Sequence, residues 1–114
     1  MFNFLGMIGN YEMRKVANFC DGILEVDTAS VTDGAHPFET AVAHPDFNDG
    51  KWVIVEAYDT KEAAQIGHDK WVKKMTTDIP DELVDCQNSQ ISQMIGVLDV
   101  EDLKFKRTIS IKES

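Results

Sequence analysis

Three histidines offer the first candidate for chemistry in this chain, a metal site. His36 and His44 are eight positions apart, so they would point to the same side of an extended strand. With His68 from a following helix, and with Cys86 or Asp46, they could form a tetrahedral zinc site. The chain has no CxxC, HxH or HExxH motif, although zinc ligands usually occur in such close pairs. We therefore expect no metal site, with His44 in a His-Pro turn and His68 packed in a helix; the sequence leaves open whether the three histidines meet.

Two cysteines, Cys20 and Cys86, are the other reactive side chains. A cysteine beside a histidine can catalyse acyl transfer, but neither has the glycine-rich or helix-N-terminal context that lowers a thiol pKa. Both are expected to pack as small apolar residues and to remain reduced in a cytosolic compartment. Pairs of carboxylates carry no information among 20 acidic residues, and no GxGxxG or GxxxxGK(S/T) motif is present to hold a nucleotide. The sequence predicts a protein that is not an enzyme and has no cofactor.

The composition is that of an acidic, soluble domain. The chain has 114 residues, 43% hydrophobic and 27% charged, with a formal net charge of -9. A domain of this length can bury about two thirds of its unfolded surface without a disulfide or a metal. The negative charge disfavours binding to nucleic acid and to anionic membranes, and no segment approaches the roughly 20 apolar residues of a membrane span. The acidity would serve solubility alone, or it would let the protein occupy a basic groove.

Two hairpins are predicted in the first half of the chain. Arg14–Cys20 and Ile23–Val31 flank Asp21-Gly22, which fits a type I′ turn because glycine accepts positive φ. Leu24, Val26 and Thr28 share one face of the second strand, with Glu25 and Asp27 opposite. The second hairpin pairs Phe38–His44 with Lys51–Tyr58 around a turn at Asn48-Asp49-Gly50.

The last of these strands is apolar on both faces, which predicts a central position in a sheet. Trp52, Ile54 and Tyr58 would lie on one face, and Val53, Val55 and Ala57 on the other. One face would meet a helix, and the other would meet more chain or a partner. That helix follows directly, with Asp59 as the N-cap and Glu62 completing a capping box. It should end before Pro80, and its buried stripe would contain Ala64, Gly67, His68, Trp71, Val72 and Met75.

The remaining elements complete one α+β domain over residues 1–114. An acidic loop at Asp78–Asp85 precedes a short second helix at about Ser89–Leu98 and a final strand at Leu103–Ile111. A short apolar arm, residues 1–8, precedes the first strand and packs under its own domain or against a neighbour. The predicted fold is an antiparallel four- to five-stranded sheet with one long helix on a face, in the order β-β-β-β-α-α-β. Its core would contain Val53, Val55, Ala57, Ala64, Trp71 and Met75.

Three segments form a recognisable series: GNYEMRKV, PFETAV and HPDFNDGKWVIVEAYDTKEAAQIGHDKWVKKM. Together they resemble a family of small uncharacterised proteins encoded by tailed bacteriophages and prophages. The resemblance runs from about Gly9 to Ser92, and the part from Ile95 onward has no counterpart in it. It implies a phage protein made in the cytoplasm of a bacterial host, and it implies no catalytic residue and no cofactor.

We therefore expect a phage structural or accessory protein that binds other proteins, either a capsid or tail subunit of the virion or copies of itself. Direct binding to nucleic acid or to a membrane is not expected. The alternative is an acidic phage inhibitor that binds a host defence or replication factor, or a small nucleotide signal. Loops often carry function on rigid scaffolds, and a basic spot could meet an acidic neighbour. The candidate partner-binding residues are Phe2, Phe4 and Leu5 of the arm, Phe47 of the loop His44–Gly50, and Lys70, Lys73 and Lys74 of the helix.

Deletion of residues 1–8 is expected to leave the domain folded and to abolish assembly or partner binding. Each buried phenylalanine or leucine of the arm would contribute about 1.5–3 kcal/mol to such a contact. Circular dichroism would test the fold, and sedimentation velocity would test the assembly. If the shortened chain unfolded, the arm would belong to the domain's own core.

Overall fold

The computed structural model describes residues 14–32, 34–89 and 103–108. These residues form an α+β fold in which one helix packs on a four-stranded antiparallel sheet of order β1-β2-β3-β4, beside a separate two-stranded sheet. The elements are β1 (Lys15–Asp21), β2 (Leu24–Ser30), β3 (Phe38–Ala43), β4 (Val53–Tyr58), α1 (Lys61–Thr77), β5 (Glu82–Val84) and β6 (Lys104–Lys106). The predicted fold class, with two successive hairpins and a helix against their sheet, is confirmed.

The β1–β2 hairpin turns one residue later than the sequence predicts. Asp21 pairs with Leu24, so Gly22 and Ile23 are the two central residues of the turn. Gly22 has a φ of 59°, and it is the one central residue with positive φ. This is the pattern of a type II′ turn rather than the predicted type I′. The faces of β2 are as predicted, with Leu24, Val26 and Thr28 buried.

A β-bulge interrupts the pairing of β3 with β4. Thr40 pairs with Glu56 while the next residue, Ala41, pairs with Ile54. Val55 is therefore the extra residue on β4. A bulge adds one residue to a strand, so the alternation of side chains between the two faces of the sheet shifts at that point.

The bulge corrects the predicted faces of β4. Val53 points toward α1 and is fully buried, as expected. After the bulge, Glu56 and Tyr58 join Val53 on the helix side, although the sequence placed Tyr58 on the face of Trp52. Ala57 lies on the opposite face, where it pairs with Glu39, so its predicted place in the core under the helix is wrong.

The hydrophobic core lies between α1, the helix-facing side of the sheet and the β5–β6 pair. Its buried members are Leu24, Val26, Val42, Phe47, Val53, Met75 and Leu83. Of the predicted core residues, Val53, Ala64 and Met75 are buried. Val55 and Trp71 are partly buried and pack against the same cluster.

Thr60, rather than Asp59, caps the N-terminus of α1. The Thr60 backbone is extended, and its side-chain oxygen accepts a hydrogen bond from the Ala63 backbone N–H at 3.1 Å. The predicted capping box of Asp59 and Glu62 is therefore wrong: with Thr60 as the N-cap, the third helical residue is Ala63, whose side chain cannot return a hydrogen bond. Asp59 instead lies beside His36, with its Oδ1 atom 2.6 Å from Nδ1 of that ring.

The C-terminal elements differ from the prediction. After α1, which ends ahead of Pro80 as expected, β5 forms within the predicted acidic loop Asp78–Asp85. β6, which lies within the predicted final strand Leu103–Ile111, pairs with β5 and does not extend the main sheet. The predicted helix at Ser89–Leu98 and the arm at 1–8 lie outside the described residues, except that Ser89 forms an isolated bridge with Gly34. In the described ranges, the second helical element is a 3-10 turn at Asn48–Gly50.

Gly67 of α1 lies directly against the Tyr58 ring, and a methyl group there would overlap the ring and its hydroxyl. Gly67→Ala is therefore expected to destabilise the protein by about 1–3 kcal/mol, although alanine is the better helix former. Ile66→Ala, at an exposed neighbouring position, is the control and should change stability by less than about 0.5 kcal/mol. Urea denaturation would measure both; a more stable Gly67→Ala protein would contradict this close approach.

Candidate functional site

A row of polar side chains crosses the buried contact between α1 and the sheet. His68 Nδ1 lies 2.9 Å from Thr28 Oγ1 of β2, and Thr28 Oγ1 lies 2.5 Å from Thr40 Oγ1 of β3. The Tyr58 hydroxyl lies 3.0 Å from Thr40 Oγ1 and 3.2 Å from Glu56 Oε1. We call these five residues the polar row. Thr28 and Thr40 are fully buried, and His68 and Tyr58 nearly so.

Glu56 ends the polar row with a strongly bonded carboxylate. Its Oε1 atom accepts hydrogen bonds from Trp71 Nε1 at 2.8 Å and from Lys70 Nζ at 2.7 Å. Burial acts to raise the pKa of Glu56, but the hydrogen bonds from Lys70, Trp71 and Tyr58 and the charge of Lys70 outweigh it, so the pKa is lowered. The group is therefore a carboxylate near neutral pH, unsuited to act as a general acid.

Burial sets the protonation of the other titratable members of the row. It lowers the pKa of His68, against the opposing charges of Asp69 and Asp27, so the imidazole is neutral near pH 7. Burial and the nearby Glu56 raise the pKa of Tyr58 to about 12, despite a hydrogen bond with Thr40. The polar row therefore consists of neutral groups, except for the Glu56 carboxylate at one end.

Glu56 is also one of the residues that line a cavity at the edge of the sheet. This β4-edge pocket, of about 260 Å³, is lined by His36, Val55, Glu56, Ala57, Cys86 and Asn88. Asn88 is 1% exposed and holds the wall: it accepts from the His36 N–H at 2.9 Å and donates to the His36 carbonyl at 3.2 Å. Gly34 lies so close to Asn88 that any side chain there would overlap it. The pocket thus depends on contacts between distant parts of the chain.

Cys86 lies in this pocket, but its thiol is not activated. Partial burial, together with the charges of Asp85, Glu39 and Glu56, raises the pKa of the Cys86 thiol to about 11. A thiol is nucleophilic as its thiolate, so this environment works against acyl-transfer chemistry. Neither cysteine forms a disulfide among the described residues, and both residues are exposed overall even though the Cys86 thiol is partly enclosed, so their predicted packing as small apolar residues is wrong.

The histidines do not come together. His36 precedes β3 and His44 follows it, so they lie at opposite ends of that strand. The His44 Nδ1 atom accepts the Asp46 backbone N–H at 3.0 Å, which confirms the predicted His-Pro turn. His68 is a buried residue of α1, as predicted. Within residues 14–32, 34–89 and 103–108, no group of three or more potential ligands could hold a metal ion.

Phe47 is buried, so its predicted role as an exposed partner-binding residue is wrong. It is 1% exposed and belongs to the core. Its ring meets the His44 ring edge-on, with the two ring centroids 5.7 Å apart. Asn48, Asp49 and Gly50 all have positive φ, and this tight turn directs the preceding Phe47 inward. The turn itself was predicted from these three residue types.

The predicted lysine cluster is exposed on α1, but two of its members have intramolecular contacts. Lys70 pairs with Glu56, and the Lys70 and Lys74 ammonium groups lie 5.8 and 4.9 Å from the centroid of the Trp71 ring. Lys73 is exposed to solvent. The three residues of the arm, Phe2, Phe4 and Leu5, lie outside the described residues.

A second concavity lies at the end of the sheet where the two hairpins turn. This turn-end groove, of about 170 Å³, has Cys20, Ile23, Glu25, Ala43, Pro45 and Gly50 among its lining residues. Ile23 is 68% exposed at its rim. Trp52 is 48% exposed, and continuing the β3–β4 register places it beside Ala43. Ile23 thus lines the groove together with residues of the predicted loop His44–Gly50, and Trp52 lies next to the lining residue Ala43.

Comparisons with family models, curated proteins and solved structures found no match to this chain. Phage origin therefore stays a prediction from the sequence. In the part of the chain that the structure describes, no helix has the length and apolar character needed to cross a membrane. Sequence patterns did not indicate that Glu56 and Tyr58 belong to a polar row or that Asn88 lines a pocket. The one available signal for the polar row was Thr28, a polar residue on an otherwise apolar strand face.

The free energy of unfolding is expected to fall as the pH decreases from about 7 to about 5. Burial lowers the pKa values of His68 and His44 below the usual 6.5, so the unfolded chain takes up protons first. Each histidine contributes a slope of at most about 1.4 kcal/mol per pH unit. Glu56 adds to the loss only below its usual pKa of 4.5.

Urea denaturation across this pH range would measure the slope, with His68→Asn as the test variant. Asparagine keeps a polar group near the Nδ1 position but does not titrate, so the slope should decrease even if overall stability is lower. An unchanged slope in His68→Asn would show that burial does not depress the protonation of His68.

Proposed function

We propose that this protein is a non-enzymatic phage protein that binds another protein through the turn-end groove. The observation that carries the proposal is a pair of exposed apolar side chains at this surface: Ile23 lines the groove, and Trp52 lies beside its lining residue Ala43 by strand register. Tryptophan is enriched among the residues that dominate binding energy, particularly where it adjoins a pocket. The phage assignment rests on the sequence resemblance over residues 9–92.

The chemistry of the groove indicates what the partner would present. Cys20, Ile23, Ala43 and Pro45 supply an apolar lining, and Glu25 supplies a carboxylate at the same site. Asn18 donates to Glu25 Oε2 at 3.0 Å and to Asp27 Oδ1 at 2.9 Å, which holds both carboxylates in place. The matching partner segment is apolar and carries a lysine or arginine. A capsid or tail subunit, or a second copy of this chain, is the partner that we propose.

The alternative is a phage inhibitor that acts on a host defence or replication factor. The paired carboxylates of Glu25 and Asp27 favour it, because fixed negative charges can occupy a basic site. Binding of a small nucleotide signal has less support. The lining of the β4-edge pocket contains a carboxylate, Glu56, and no lysine or arginine to attract phosphate.

Trp52→Ala is expected to weaken partner binding by at least about 30-fold, which corresponds to a contact of about 2 kcal/mol. Tagged wild-type protein, Trp52→Ala and the control Ile66→Ala would be produced during phage infection and purified by the tag. The proteins that each one retains would then be compared by mass spectrometry. Ile66 is 70% exposed on α1, away from the groove, so its variant should behave as the wild type. Circular dichroism would verify that all three proteins fold.

Mass spectrometry of purified virions would separate the two functions. Presence in the virion, with a phage subunit retained by the wild type and the control but lost in Trp52→Ala, supports the structural role. If a host protein is instead retained by the wild type and the control but lost in Trp52→Ala, and this protein is absent from virions, the inhibitor role is supported. The proposal fails if no retained protein depends on Trp52.

A further inference from the structure

The polar row contains a fixed number of protons, and this number constrains how they are arranged. Four contacts join its five members in series, from His68 through Thr28, Thr40 and Tyr58 to Glu56. Each contact needs one proton between its two heavy atoms, because two lone pairs at hydrogen-bond distance repel each other. The three hydroxyl groups supply three protons. The fourth must come from one end of the row, either from His68 or from Glu56.

The contacts of Glu56 decide between the two ends. The Oε1 atom that faces Tyr58 also accepts from Trp71 Nε1 and from Lys70 Nζ. Both of these groups can only donate, so a proton on Oε1 would be directed against another donor. Oε1 is therefore an acceptor, and the Tyr58 hydroxyl donates to it. The Tyr58 hydroxyl is within reach of both Thr40 and Glu56 but has one proton; because that proton lies toward Oε1, the contact with Thr40 must use the Thr40 proton.

The remaining contacts follow in order. Thr28 must donate to Thr40, because the Thr40 proton is already committed to Tyr58. The Thr28 oxygen then has no proton to offer His68, so it accepts one. That proton lies on Nδ1 of His68, 2.9 Å away. The opposite arrangement, with His68 accepting, leaves one contact of the row without a proton.

We propose that the polar row holds His68 as its Nδ1–H tautomer and couples the protonation of this residue to the negative charge of Glu56. The row transmits the coupling through reorientation of three hydroxyl groups, without movement of the backbone. Asp27 of β2 and Asp69 of α1 also act on His68, and Lys70 acts on Glu56. These charges modulate the coupling but do not alter the proton count.

The coupling links the β4-edge pocket to the interior of the helix–sheet contact. Glu56 lines that pocket and also ends the polar row. If Glu56 takes up a proton from a group bound in the pocket, its carboxyl supplies the fourth proton of the row and can donate to Tyr58. The row can then reverse: His68 Nδ1 becomes an acceptor and releases its proton to solvent, while Nε2 takes up a proton from solvent, so the ring stays neutral. This property is independent of the protein's binding function.

Nitrogen-15 NMR of the histidine rings would test the proposal near pH 7.5, where the rings of interest are neutral. We expect His68 to be protonated on Nδ1 and unprotonated on Nε2. His44 is an internal control with the opposite tautomer: its Nδ1 atom accepts the Asp46 N–H, so its proton must lie on Nε2. A wild-type spectrum with His68 protonated on Nε2 would overturn the proposal.

Two variants break the row at different places. Tyr58→Phe keeps the ring against Gly67 but removes the hydroxyl, and Thr40→Val removes the middle hydroxyl. In either variant the remaining hydroxyl protons suffice for the remaining contacts, so His68 should become a mixture of tautomers while His44 stays unchanged. If His68 stays on Nδ1 in both folded variants, a neighbour other than the polar row sets the tautomer and the coupling is refuted.

Discussion

The contact between α1 and the sheet is the constraint on which the rest of the structure depends, because it is polar at its centre. Thr28 and Thr40 are completely buried in it, and His68 and Tyr58 nearly so. A buried polar group without a partner costs about 1–3 kcal/mol, whereas these four bond to one another. Moving the helix by one residue would separate His68 Nδ1 from Thr28 Oγ1 and leave the buried imidazole without this partner. The polar row thus specifies one position of the helix more sharply than apolar contacts could.

The bulge at Val55 connects this interior to the surface. By shifting the alternation of β4, it turns Glu56 and Tyr58 toward α1 and leaves Ala57 on the other side. Glu56 consequently ends the polar row and is also among the residues that line the β4-edge pocket. Bulges often occur beside functional sites because they redirect side chains in this way. A regular β4 would place the Tyr58 hydroxyl on the opposite face, and the row would lack its link to the carboxylate.

The chain also protects the edge that β4 would otherwise present. The Cys86 N–H donates to the Ile54 carbonyl at 2.8 Å, and the Asp85 carboxylate accepts from the Ile54 N–H at 3.3 Å. Farther along the same segment, Asn88 bonds to both backbone polar groups of His36, ahead of β3. An open strand edge invites pairing with other chains. The segment at Asp85 and Cys86 therefore prevents such pairing along β4, whereas β1 forms the other edge of the sheet.

Local patterns in the sequence determined the two hairpins, the long helix and the α+β class, because turn residues and hydrophobic periodicity act between near neighbours. Asn48-Asp49-Gly50 marked its turn through residues that tolerate positive φ. Tertiary structure alone decided the face of Tyr58, since a bulge depends on how the partner strand aligns. It also turned Phe47 inward from a polar loop. The pairing of β5 with β6 and the place of Asn88 arise between segments far apart in the chain, where no local pattern records which groups will meet.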